Sequence, residues 1–200
     1  KKSLSLENQH KLMTVKVESE VLRETQLVVC LLFQYAGMSF VDFAHLKERN
    51  IKNGILDYNR QKTGTPMRLE ILDTAELMRK ELMGDKKPAS GYLFPFLSGT
   101  KTGYEAYLEY NAALSRFNRN LKALKKAAGI ASDVTSYTIR HSFAMALKEQ
   151  NVPIEMISEL LGHKSIKTTQ IYLRSFSLEK MTEVNSTCFG CVYNYVSKVG

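Results

Sequence analysis

Cysteine is scarce, with three in 200 residues. Cys30 lies inside an apolar helical pattern and reads as a small buried hydrophobe. Cys188 and Cys191 form a single C-x-x-C near the end, with no second pair and no histidine beside it. Two thiols do not complete a tetrahedral metal site, so a reduced thiol pair and no metal is the expectation. Long hydrophobic runs are also missing: the apolar stretch Leu27 to Phe33 is internal and far shorter than the ~20 residues a bilayer span requires. The first residues lack a signal-peptide pattern, and no internal repeat or low-complexity tract occurs. These absences lead to the expectation of a soluble, cytoplasmic protein.

What is present is ordinary globular composition, 44% hydrophobic and 24% charged, enough for one domain with a substantial core. The 28 basic side chains exceed the 20 acidic ones, for a formal charge of +8. That surplus favours a polyanionic partner without deciding for one.

The most informative stretch runs from Thr135 to Tyr172. Thr135 or Ser136 can cap a first helix whose apolar residues Phe143, Ala144 and Leu147 fall at helical spacing. Pro153 suits the first turn of a second helix with Ile154, Ile157 and Leu161 on its buried stripe, and Gly162 can take the left-handed conformation that ends it. His163 follows that turn, Ser165 can cap a third helix, and Tyr172 comes two turns later. An arginine at 140, a histidine at 163 and a tyrosine at 172 at this spacing make sense together around a phosphodiester. Taken singly, each has a plainer reading as a solvated arginine, a capping histidine or a packed tyrosine.

Arg140-His141, Leu161-Gly162-His163 and Thr168-Thr169-x-x-Tyr172 together resemble the catalytic motifs of the tyrosine recombinase (integrase) family, in order and at the family's spacing. The resemblance covers about Val17 to Met181 and is nearest to integrases of mobile elements. It implies a metal-free, cofactor-free reaction in which Tyr172 attacks a DNA phosphate and forms a 3′-phosphotyrosine. Arg140 then clamps the nonbridging oxygens, His163 donates a hydrogen bond to the same phosphate, and His141 supports the site. A transition state that gathers charge on oxygens suits planar guanidinium donors better than an ammonium. Where relatives begin this box with histidine, this chain has Tyr137, whose hydroxyl can still donate, or whose ring can pack beneath Arg140.

The chain departs from the family's pattern at the first box. Gly37-Met38-Ser39-Phe40-Val41-Asp42 resembles that box, and Asp42 matches the acidic residue that supports an active-site arginine. The arginine itself is missing from both positions that relatives use, which here hold Ala36 and Ser39. Since one preorganised donor is worth about 10²–10³ in rate, a slow enzyme is expected, and Ala36→Arg is expected to restore at least about tenfold.

Elsewhere the chain reads as mainly helical with a small sheet. Lys1 to Leu12 opens like a linker with a short first helix, and Val17 to Tyr35 forms a buried helix ended at Gly37. Asn53-Gly54 is a two-residue hairpin signal, and Met67, Leu69 and Ile71 alternate as a half-buried strand. The intervening Arg60-Gln61-Lys62-Thr63-Gly64 turn is basic. Lys62 resembles the family's hairpin lysine, the general acid for the leaving 5′ oxygen, and Arg60 reads as a DNA-backbone contact. Asp73 caps a helix to about Met83. A long helix from Tyr104 to Lys126 buries Leu114, Phe117, Leu121 and Leu124. Its other face shows Arg116, Arg119, Lys122 and Lys126, which together with Lys164 are candidate phosphate contacts.

The expected fold is therefore α+β, mainly helical, a tyrosine recombinase catalytic domain with a three-stranded antiparallel sheet. Residues 1–14 form a linker and first helix, 15–182 the catalytic domain, and 183–200 a tail. By resemblance that tail reaches a neighbouring subunit, a separate DNA-binding domain precedes this chain in a longer protein, and the partner is double-stranded DNA in the nucleoid. A homotetramer is expected on DNA, and a monomer or weak oligomer when free. The implied function is strand breakage and rejoining for integration or inversion. A DNA-binding relative with impaired catalysis and a type IB topoisomerase-like enzyme are the alternatives.

Overall fold

The structure, a computed structural model, describes residues 3–88, 91–173, 181–184 and 186, with Tyr172 as backbone alone. Between residues 3 and 173, eight helices surround one small sheet in the order α1 (Leu6–Thr14), α2 (Glu20–Gln34), α3 (Phe40–Ala44), β1 (Ile51–Lys52), β2 (Ile55–Asn59), β3 (Pro66–Glu70), α4 (Asp73–Met83), α5 (Gly103–Ala127), α6 (Ser136–Glu149), α7 (Ile154–Leu160) and α8 (Ile166–Tyr172). A single 3-10 turn, Glu48–Asn50, leads into β1.

Helix α2 is the hub. Residues 25–32 are all buried, an apolar face too wide for one neighbour, and α1, α4, α5 and α6 all pack against it. An aromatic layer closes the core on the far side of α3, where Phe43 stacks on Phe94 with ring centroids 4.1 Å apart and Phe40 stacks on Phe117 at 4.6 Å. Each such ring removes a large apolar area from water, and the pairing adds about 0.5–1.5 kcal/mol. Cys30 is buried here, and that burial pushes its thiol pKa up to about 11. It behaves as the small hydrophobe its sequence context suggests.

The sheet is antiparallel in the order β1-β2-β3. Asn53 and Gly54 both take positive φ, 53° and 74°, so the two-residue turn matches the twist of its strands. The pairing Leu56↔Leu69 and Tyr58↔Met67 turns the buried side chains of both strands to one face.

Three local expectations need correction. The opening segment is not a linker: Leu4 and Leu12 are buried in the main core, and the Leu4 backbone N–H donates to Ser142 Oγ in α6 at 2.8 Å. Asp73 is the first helical residue rather than the cap. That position belongs to Leu72, which lends no side-chain hydrogen bond. Pro153 caps α7 from outside instead of occupying its first turn. Residues 181–184 are helical, with Met181 and Val184 exposed. The rest of the proposed tail, including Cys188 and Cys191, lies outside the described residues. No helix among the described residues is long and apolar enough to cross a membrane.

Candidate active site

The site is assembled where four segments meet: the turn Ala36–Ser39, the β2–β3 turn, the start of α6, and the α7–α8 connection. A capping box fixes α6, in which the Thr135 hydroxyl accepts from the Thr138 N–H and the Thr138 side chain accepts from the Thr135 N–H. Arg140 then falls on the inward face and is 6% exposed. Its Nη1 donates to the Gly37 carbonyl at 2.8 Å, and its Nη2 donates to the Leu161 carbonyl. The guanidinium is thus aimed by backbone oxygens from two distant segments. Gly37 permits this approach because its φ is +64° and because a Cβ there would lie 2.6 Å from the Phe143 ring.

His163 follows the left-handed Gly162 that ends α7. Its Nδ1 is 2.9 Å from the hydroxyl of Thr169, which is fully buried on α8. Burial first, then the nearby Arg140 and Arg60 cations, push the imidazole pKa down to about 4. The ring is therefore neutral at ordinary pH. If the Thr169 hydroxyl donates to Nδ1, the ring proton resides on Nε2, which suits a neutral hydrogen-bond donor.

Arg60 departs most from its expected place. The sequence suggests a surface residue on a basic turn, yet the side chain is 8% exposed and points inward. Nη1 donates to both the Leu161 and Gly162 carbonyls at 3.0 Å, and Nε lies 3.4 Å from Asp42 Oδ2, an ion-pair contact longer than a tight hydrogen bond. Asp42 is 2% exposed and also accepts from the Gln61 backbone N–H at 2.7 Å and from the Ser39 hydroxyl at 2.5 Å. The acidic residue of the first box does support an arginine, but one that comes from the hairpin. Burial and the Asp42 charge push the neighbouring Tyr58 phenol pKa well above its usual value.

The two vacant positions are closed to substitution by their surroundings. Ala36 is 7% exposed with φ +53°, and Ser39 both bonds Asp42 and caps α3. Lys62 stands exposed at the tip of the same turn as Arg60, closed by the Arg60 N–H to the Thr65 carbonyl at 2.9 Å. It makes no ion pair among the described residues.

Apart from His141 and Tyr172, the remaining candidates are exposed. Tyr137 is 42% exposed and lines a groove of about 640 Å³ with Asp133, Thr138 and the buried His141. Arg116, Arg119, Lys122 and Lys126 are exposed along α5, and Lys164 is exposed beside His163. The backbone of Tyr172 ends α8, on the same short helix as Thr169.

Thr169 and the carbonyls of Gly37 and Leu161 were not singled out as site residues by sequence reasoning, and Arg60 was read as a DNA-backbone contact on the turn rather than as an inward side chain. Only Thr169 had a signal, its place in the Thr168-Thr169 pair six residues after His163.

The profile of the phage integrase family matches residues 2–179. Tyrosine recombinase XerD of Lacticaseibacillus casei is 52% identical over 54 residues, a stretch that is 27% of this chain and 18% of that protein. Among solved structures, XerA recombinase superposes with a TM-score of 0.68 at 20% identity, covering 94% of this chain and 63% of its own. A lambda integrase tetramer bound to a Holliday junction gives 0.61 at 20% identity, covering 88% and 50%. These two likenesses establish a shared fold, and this chain spans less than two thirds of each.

Proposed function

Because the chain belongs to the phage integrase family, we propose that it is the catalytic portion of a site-specific tyrosine recombinase that breaks and rejoins double-stranded DNA. The observation that carries this reading is the meeting of Arg140, Arg60 and a neutral His163 around the Leu161–His163 turn, one turn of chain from the helix that ends in Tyr172. Such a cluster of oriented donors suits a phosphodiester that becomes more negative on its nonbridging oxygens as it reacts.

In the proposed reaction the Tyr172 oxygen attacks phosphorus as its proton passes to solvent water, and the bond from phosphorus to the 5′ oxygen breaks. Lys62 supplies the proton that the 5′ oxygen needs as it leaves, and the 3′ phosphate is retained on tyrosine. One phosphoester replaces another, so attack by a different 5′ hydroxyl reseals the strand with no external energy source. Arg140 and His163 hold the phosphate throughout.

Arg116, Arg119, Lys122 and Lys126 provide an exposed basic stripe for sequence-independent backbone contacts, and a tetramer on DNA is the assembly, as in the lambda integrase neighbour. Tyr172→Phe tests the reading: it should abolish an SDS-resistant protein–DNA adduct while leaving salt-sensitive DNA retention unchanged. An adduct mapped to Tyr137 or any other tyrosine refutes the assignment.

A further inference from the structure

We propose that Arg60, from the β2–β3 hairpin, supplies the second guanidinium at the reacting phosphate, replacing the arginine that the first box lacks. The inference rests on the phosphoryl-transfer reading above and adds a residue to it.

Three observations carry it. Arg60 and Arg140 donate to the same Leu161 carbonyl, which brings two cationic side chains from segments 80 residues apart to the residue two before His163. Asp42 forms an ion pair with Arg60, so two cations share one carboxylate here, and a phosphate diester is an anion of suitable size to meet the remaining positive charge. Second, the donors of Arg60 are divided by role. Nε faces Asp42 and Nη1 is occupied by two carbonyls, whereas Nη2 makes no hydrogen bond among the described residues. Two of the three nitrogens are anchored and the third is left to donate, which is the preorganisation that transition-state stabilisation requires.

Third, the surroundings admit this side chain specifically. A Cβ on Gly162 would lie 2.7 Å from Arg60 Cδ, so the aliphatic stem uses space that only glycine leaves open. Asp42, buried and already bonded to Ser39 and Gln61, would be an uncompensated charge without Arg60. The depression of the His163 pKa by both Arg140 and Arg60 is consistent with both cations lying close to the ring.

Two measurements test the proposal. Inorganic phosphate titrated into the unaltered chain, followed by NMR of arginine side-chain resonances, should shift the Arg60 Nη2 protons together with His163. An unmoved Arg60 signal overturns the inference, and no variant is needed to see it. In single-turnover cleavage of a nicked duplex selected by adduct formation from a random pool, Arg60→Gln should slow reaction at a phosphate by about 10²–10³. At a methylphosphonate, which carries no charge to neutralise, the loss should shrink to about tenfold or less.

Arg60→Lys should fall between, and Arg60→Gln paired with Asp42→Asn removes the stranded carboxylate so that misfolding is not mistaken for lost chemistry. Equal losses on both substrates, or cleavage within about threefold of the unaltered chain, overturn the proposal. Phosphate bound at Arg60 with no adduct on any duplex would instead refute the phosphoryl-transfer reading and leave the anion site standing.

Discussion

The hydroxyl of Thr169 sits 2.9 Å from Nδ1 of His163, and both groups are carried by the turn and helix that also deliver Tyr172. A neutral imidazole has two tautomers, and a Thr169 hydroxyl that donates to Nδ1 selects the one whose Nε2 carries the proton. Thr169→Val keeps the shape and removes the hydroxyl. Loss of one such hydrogen bond is worth about 0.5–1.5 kcal/mol, so DNA cleavage should fall about two- to tenfold with little change in DNA binding. Unchanged cleavage in Thr169→Val would show that the tautomer is set elsewhere.

The pH behaviour of His163 follows from its surroundings. Burial, then Arg140 and Arg60, lower its pKa from 6.5 to about 4. Between those values the unfolded chain binds a proton that the folded one refuses, so this residue's share of stability is complete above about pH 6.5 and declines as pH falls toward 4. NMR titration of the free protein should place the His163 midpoint near 4. Arg60→Gln should raise it only partly, because burial is the larger cause. A midpoint near 6.5 in the unaltered chain would contradict the buried, cation-flanked setting.

Local signals made most of the fold legible. Asn53-Gly54 announces the hairpin, Thr135 and Ser165 announce the starts of α6 and α8, and the dense apolar run after Val21 announces α2. Arg140 and His163 were legible because their motifs are compact. Arg60 was not, because its burial depends on Asp42, 18 positions earlier, and on carbonyls 101 and 102 positions later. A basic turn of Arg, Gln and Lys has the composition of a solvated loop, and only tertiary packing turns one of its cations inward. The same holds for Leu4, whose partner Ser142 lies 138 positions away.

Gly162 is constrained twice. Its φ of +59° is costly for any other residue, and a Cβ would press on the Met67 sulfur and on Arg60 Cδ. Left-handed backbone alone costs an L residue about 1–2 kcal/mol, so Gly162→Ala should destabilise the chain by at least that much in urea unfolding. Cleavage should fall further than DNA binding, because the displaced groups are Arg60 and the carbonyl that aims Arg140. Gly129, also left-handed at φ +68° but with nothing within 4 Å of where a Cβ would sit, provides the comparison, and Gly129→Ala should show the backbone cost without the loss of cleavage.

The first-box vacancy yields the last prediction, and the structure reverses the one made from sequence. From sequence alone, Ala36→Arg should restore a missing donor beside Asp42. In the folded chain the carboxylate of Asp42 is already held by Arg60, Gln61 and Ser39. Ala36 is 7% exposed at φ +53°, so a long cation there must bury itself without a carboxylate reserved for it. Burying an unpaired charge costs several kcal/mol. Ala36→Arg should therefore lower the urea midpoint and leave single-turnover cleavage no faster than in the unaltered chain. Ser39→Arg should also lose the α3 cap, a further ~1 kcal/mol. In the Arg60→Gln background the balance changes, since Asp42 is then unpaired, and there an arginine at 36 or 39 should recover part of the lost rate. A tenfold gain from Ala36→Arg with Arg60 intact would mean that the hairpin arginine leaves the phosphate unattended.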